Sequence, residues 1–374
     1  MHFLPLLFAG LYFIWQVRNY YFWRQSSLVD KDCYDLTAPP SVSLLIPARN
    51  EAHQLPALLN DLQQLDYPQE RLRIIVIDDY STDGTAAVVR EFPGVQLLQL
   101  ADYLPSESSV VAHKKAAISY AIQESEADII VTTDADCRWS PDTLKALLQG
   151  ASSIGFRSGP VLITSTQNLC DGFQALDFIS YMFLTAAYAQ RGRPILANGA
   201  NLVIERELFQ QIGGYLGVDH LPSGDDVLLL HKLQQQGYGQ NIRFINQPEA
   251  LVATRPVAGW RALWRQRLRW AGKSGAYQSS DLQLVQGLSY LNSLAIVVGL
   301  MLSPFYPAFL LPSLLAWLLK FIIDGWILRA VSKHFGHIDL YFRWYIPSAF
   351  IYPFYLVAIG TAALLGFKAS WKGR

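Results

Sequence analysis

The chain is poor in cysteine and poor in charge, and each shortage excludes something. Three cysteines, Cys33, Cys137 and Cys170, are too few and too scattered for a disulfide framework or a thiolate zinc site. They fit a reducing, cytoplasmic setting for the polar part of the chain. Only 16% of residues are charged, 30 basic against 30 acidic, so no general basic field exists to hold nucleic acid. No G-x-x-x-x-G-K-[ST] loop is present, and no G-x-G-x-x-G run follows the first strand, which removes most support for P-loop hydrolysis and dinucleotide binding. His53, His113, His220 and His231 lack zinc-ligand spacing. The N-terminus has neither the basic start nor the small-residue cleavage site of a signal peptide.

What the chain does have is apolar length. Hydrophobic residues make up 51% of it, unevenly: the charges fall mostly within 24–284, while 285–367 is overwhelmingly apolar. His2–Val17 is uncharged and is followed by Arg18, Tyr20–Trp23 and Arg24, the pattern of a membrane anchor with an aromatic and basic inner end. Leu288–Leu302, Pro307–Leu328 and Tyr345–Phe367 predict three further spans, with a tight turn at Ser303-Pro304 and a polar connection over Arg329–Arg343. Lys320 and Asp324, one helical turn apart inside the second of these, can pair or reach toward the interface. Four spans with the polar domain inside put both termini outside. Lys368, Lys372 and Arg374 then run against the positive-inside bias. The expected layout is an anchor over 1–24, a cytoplasmic domain over 25–259, an interface region over 260–284 and a membrane region over 285–374.

The polar domain opens with strand, helix, strand. Ser41–Pro47 and Arg71–Ile77 are short β-type runs, and Ala52–Leu65 between them has helical apolar spacing. The alternation continues through a helix at Thr85–Glu91, a strand at Val95–Leu100, a helix at Lys114–Glu124 and a strand at Ile129–Thr133. This predicts an α/β, doubly wound parallel sheet, which binds ligands at the carboxyl ends of its strands. Those ends carry acids: Asp78-Asp79 after one strand, Asp134-Ala135-Asp136 after another. A lone acidic pair is usually a turn or a cap. Two clusters at neighbouring strand ends are harder to dismiss, and the second, Asp-x-Asp, places carboxylates where a hard divalent cation can bridge to phosphate oxygens.

In order along the chain stand I-P-A-R-N-E (46–51), V-I-D-D-Y-S-T-D-G-T (76–85), H-K-K-A-A-I (113–118) and T-D-A-D (133–136). N-G-A-N-L-V-I (198–204), F-x-x-x-G-G-Y ending at Tyr215, G-D-D (224–226) and Q-R-L-R-W (266–270) follow. Together they resemble the membrane-bound inverting glycosyltransferases of family 2, relatives of cellulose, chitin and hyaluronan synthases and ceramide glucosyltransferase. The resemblance covers roughly residues 41–275 and implies a GT-A fold. It implies that Pro47, Asn50, Glu51, Asp78, Asp79 and Lys114 bind the nucleotide sugar, and that Asp136, with Asp134, carries Mg2+ or Mn2+. It further implies that Asp226 is the catalytic base, and that Asp225, Gln266, Arg267, Arg269 and Trp270 serve the diphosphate and acceptor. Asp225 and Asp226 could instead cap the helix Val227–Gln235, with Asp225 the one expected to do so in part. Asp225 replaces the family's usual glutamate, and His113 its usual glycine.

The basic amphipathic stretch Trp260–Trp270 is expected along the inner membrane surface. The implied function is single-sugar transfer from a nucleotide sugar, a UDP-sugar first, to a membrane lipid or lipid-linked saccharide. The alternatives are a processive polysaccharide synthase, which would need an oligomer or channel partner, and a binding-only pseudoenzyme. The expected setting is the inner membrane, with the catalytic domain cytoplasmic.

Overall fold

A computed structural model of the chain describes residues 1–26, 39–104, 112–149, 154–221, 224–272 and 279–367. Cys33, the segment 105–109 and the basic tail at 368, 372 and 374 lie outside the described residues. From the N-terminus the elements are α1 (Leu4–Ser26), β1 (Val42–Ala48), α2 (Leu55–Leu62), β2 (Leu72–Asp78), α3 (Thr85–Arg90), β3 (Val95–Gln99), α4 (Leu100–Tyr103), α5 (His113–Gln123) and β4 (Ile129–Thr132). There follow α6 (Thr143–Leu148), β5 (Phe156–Ser158), β6 (Val161–Ile163), α7 (Leu169–Gln190), β7 (Leu202–Glu205), α8 (Arg206–Gln211), α9 (Val227–Gln235), β8 (Ile242–Phe244) and β9 (Val252–Thr254). The chain ends in α10 (Gly259–Ala271), α11 (Ser280–Leu302), α12 (Leu310–His334) and α13 (Ile338–Leu364). Two compact units result, one of residues 25–162 and 188–255, the other of 1–24, 163–187 and 256–374.

The first unit is built on a seven-stranded sheet in the order β3-β2-β1-β4-β7-β5-β8. The first four strands are parallel, as the strand–helix alternation required. β1 and β4 are apolar at almost every position because neighbours cover both faces of a central parallel strand. β7 joins β4 antiparallel and makes the sheet mixed. Register then places the chemistry. Ala48 is opposite Asp78, so the turn carrying Asn50 and Glu51 leaves beside the one carrying Asp79 and Ser81. Leu45 is opposite Thr132, so Asp134 emerges at the same end of the sheet.

Helix α2 starts at Leu55, later than the Ala52 expected from spacing. The amides of Glu51 and Ala52 are taken by Thr85 Oγ1 and Asp83 Oδ2, at 2.9 and 3.2 Å, which holds this stretch as a turn.

In the second unit α11, α12 and α13 are long and apolar enough to cross a membrane. The long polar connection expected over Arg329–Arg343 is a correction: α12 runs on to His334 and α13 begins at Ile338. Hydropathy marks only the apolar length of a helix, whereas backbone hydrogen bonding continues through the polar ends. α1 has 23 residues but is not among the helices that meet the length and hydropathy of a span. Its Ala9 packs with Ile296 of α11 and Ala316 of α12. Small residues allow close approach, as at Gly325, where an added Cβ would lie 2.7 Å from the Tyr345 ring. Lys320 and Asp324 do pair, at 2.6 Å.

Candidate active site

The turn after β1 is locked to the turn after β2. Asn50 takes a positive φ of 55°, a conformation in which asparagine is among the few tolerated residues. Its side-chain oxygen accepts from the Thr82 amide at 2.8 Å, and its own amide donates to Ser81 Oγ at 3.0 Å. Asp78 and Asp79 are both buried. Asp78 accepts from the Ser81 amide at 3.2 Å. Asp79 stands 2.7 Å from His113 Nδ1, while Arg49 donates to its backbone oxygen at 3.2 Å. His113, which departs from the family's glycine, thus orients one of the expected nucleotide-side acids.

A second cluster joins β4, α5 and the loop before α9. Lys114 Nζ lies 2.7 Å from Asp134 and 3.0 Å from Asp225. Burial opposes the charged ammonium, but the two carboxylates outweigh it and hold its pKa well above the usual lysine value. Asp226 takes the place expected of Asp225 as the cap of α9. Its Oδ1 accepts from the Val227 amide at 2.7 Å, and its Oδ2 from the Gly199 amide at 3.1 Å. The roles exchange because Lys114 draws Asp225 away from the helix end. Burial, and then the charge of Asp225, push the pKa of Asp226 up against the pull of Lys114 and the two amides.

The N-G-A-N stretch, which has no evident role in the sequence alone, lies against this cluster. Gly199 donates to Asp226, and a Cβ there would stand 2.7 Å from Asp225 Oδ2 and 3.2 Å from Lys114 Nζ. Thr132 and Thr133 hold this stretch by donating to the carbonyls of Gly199 and Ala200, at 2.7 and 2.9 Å.

Asp136 has its pKa raised to about 6 by burial and then by the charges of Asp134 and Glu51. Such crowding of carboxylates favours a bound cation, and the acid oxygens here are the hard donors that Mg2+ or Mn2+ prefers. Among the described residues no three His, Cys, Asp or Glu side chains form a ready metal cluster. A divalent ion held by Asp136 and Asp134 would therefore draw further ligands from a diphosphate and water.

Gln266, Arg267, Arg269 and Trp270 lie on α10, in the helical unit. Arg267 is buried within that unit, 2.7 Å from Asp177 of α7, with its guanidinium 4.2 Å from the Trp270 ring centre. Tyr352 donates to the same Asp177 at 3.3 Å.

The glycosyltransferase-like family 2 model matches residues 39–273. The chain belongs to glycosyltransferase family 2. Relatives in the family include a probable glycosyltransferase, YdaM, of Bacillus subtilis, 29% identical over 62% of this chain and 54% of that protein. The beta-monoglucosyldiacylglycerol synthase of Synechocystis is 26% identical over 64% and 48%. The chain thus spans about half the length of these curated relatives. The mannosyltransferase PcManGT of Pyrobaculum calidifontis, solved with GDP-mannose and Mn2+, is 19% identical. It superposes with a TM-score of 0.55 over 97% of this chain and 99% of its own, a likeness of fold.

Two predictions come from these pairings. If Asp226 must be ionised to work, the acid limb of the rate–pH profile lies above the ordinary carboxylate range, with activity lost as pH falls through it. Asp225→Asn removes a negative neighbour and should shift that limb to lower pH; a limb that stays put or rises contradicts the coupling. Asp177→Asn leaves Arg267 buried without its counter-charge and should cost about 3–5 kcal/mol. Thermal unfolding should show Asp177→Leu with Arg267→Met to be milder than either single change.

Proposed function

We propose that this family 2 member is an inverting glycosyltransferase that moves one sugar from a nucleoside-diphosphate sugar to a membrane lipid or lipid-linked saccharide. The observation that carries the reading is Asp226: one carboxylate, fixed by the amides of Val227 and Gly199, beside the pair that Asp225 makes with Lys114. In the proposed step Asp226 accepts the proton of the acceptor hydroxyl as its oxygen bonds to the anomeric carbon. The bond from that carbon to the diphosphate breaks, and the nucleoside diphosphate leaves. A raised pKa makes Asp226 a stronger base than an ordinary carboxylate.

Pro47, Asn50, Glu51, Asp78 and Asp79 form the nucleotide side of the site, with Lys114 directed to the same ligand. Asp136, with Asp134, is the pair assigned to Mg2+ or Mn2+, whose charge would offset that of the departing diphosphate. Arg269 is assigned to the diphosphate and Trp270 with Gln266 to the acceptor end. Arg267 acts by anchoring α10 through Asp177. Membrane placement, with the catalytic unit on the cytoplasmic face, is supported by the three span-length helices and by the basic, tryptophan-bearing α10. A processive synthase is the second reading; a relative at 22% identity is the poly-beta-1,6-N-acetyl-D-glucosamine synthase of Staphylococcus aureus.

The test is nucleotide release by the purified protein with UDP- and GDP-sugars, Mg2+ or Mn2+, and total membrane lipid, the products being resolved by size. A single organic-soluble glycolipid is expected; a water-soluble ladder identifies a polymerase instead. Asp226→Asn should retain donor binding and lose roughly 100- to 10,000-fold in transfer. Asp136→Ala should weaken metal-dependent nucleotide binding. Full activity in either variant overturns its assignment.

A further inference from the structure

Within the helical unit lies a pocket walled by α1, α7, α12 and α13 with Ser289 of α11. Most of the wall is aromatic or aliphatic, yet a charged pair stands in it. Lys320 is 4% exposed and lies 2.6 Å from Asp324. Tyr12 donates to the other Asp324 oxygen at 2.8 Å, and Lys320 donates to the Tyr12 hydroxyl at 3.2 Å. The ammonium also sits over the Tyr12 ring, 4.4 Å from its centre.

Helices in a membrane associate through small residues and packing, and ionisable groups there are costly and tend to mark a ligand or ion path. An ion pair placed only to join helices would be a weak source of stability. Two further polar atoms on the same wall, Gln16 Oε1 and Ser348 Oγ, are buried and have no hydrogen-bond partner among the described residues. Buried polar atoms are normally paired, so these two add hydrogen-bonding capacity to this part of the wall.

The charge identifies its class. The lining holds Asp177, Asp324 and Lys320, and Arg267 balances Asp177 from behind. Two acids meet two bases, leaving no positive surplus for a phosphate. Donors and acceptors stand side by side, as hydroxyls and ester carbonyls require. The apolar remainder of the wall, including Trp317, Phe321 and Leu328, suits hydrocarbon chains.

We propose that this cavity holds the acceptor lipid, and that the acceptor is an uncharged, hydroxyl-bearing lipid gripped where its chains begin by Lys320, Asp324, Gln16 and Ser348. The inference rests on the lipid-acceptor reading above and narrows it: a lipid phosphate is disfavoured.

The test uses the full-length protein in phosphatidylcholine nanodiscs without donor, and a diacylglycerol carrying a diazirine in one chain. Labelling is expected on peptides of α1, α12 or α13. Unlabelled diacylglycerol should compete at least about tenfold better than a polyprenyl phosphate. Lys320→Met with Asp324→Leu removes both charges together and avoids stranding one; Ser348→Phe fills the cavity. Each should lower labelling about tenfold while nucleotide binding, the check on folding, is unchanged. Labelling that survives both variants, or stronger competition by the polyprenyl phosphate in the unaltered protein, overturns the proposal. If labelling behaves as expected but no donor yields glycolipid, the functional reading fails and the cavity is a neutral-lipid site without an acceptor role. Undiminished transfer to diacylglycerol in both variants has the opposite meaning.

Discussion

The ammonium of Lys114 is the contact on which the catalytic unit depends. It joins Asp134, at the end of β4, by a charge-assisted hydrogen bond of 2.7 Å, to Asp225, in the loop before α9, by an ion pair of 3.0 Å. Without it, Asp134, Asp136, Asp225 and Asp226 would crowd together with much less positive charge among them, Lys115 being bound to backbone carbonyls. With it, Asp225 is occupied and Asp226 is left to cap α9 and face the site. Gly199 belongs to the same arrangement, since any side chain there would displace the Asp225 oxygen.

The two units solve the same electrostatic problem differently. In the sheet unit acids outnumber bases around the site, and the surplus invites a cation and a positively handled diphosphate. In the helical unit Asp177 and Asp324 are matched by Arg267 and Lys320. For the lipid proposed there, that balance leaves hydrogen bonding, with no net field, as the means of recognition.

Much of this was legible in the sequence where long patterns decide the structure. β1, β2 and β4 are continuous apolar runs, and α9 has the bounds its spacing required. β5, β8 and β9 have three residues each, too few to show any period, and only pairing with distant strands defines them. Which of two adjacent aspartates caps α9 cannot be read from spacing, because Lys114, far off in the chain, settles it. The Lys320–Asp324 pair was visible as a helical i, i+4 spacing. Its third member, Tyr12, is 312 residues from Asp324, and only the folded bundle brings them together. His113 stood out in the sequence as a departure from family pattern; its reason, the pairing with Asp79, is tertiary.

In the proposed reaction one carboxylate, Asp226, serves a direct displacement at the anomeric carbon. The most direct measurement is the anomeric configuration of the first product, read by proton NMR from an α-configured nucleotide sugar. A β-linked product is predicted, because a single backside displacement inverts that centre. An α-linked product would require a second displacement or a front-face path, and would contradict the account.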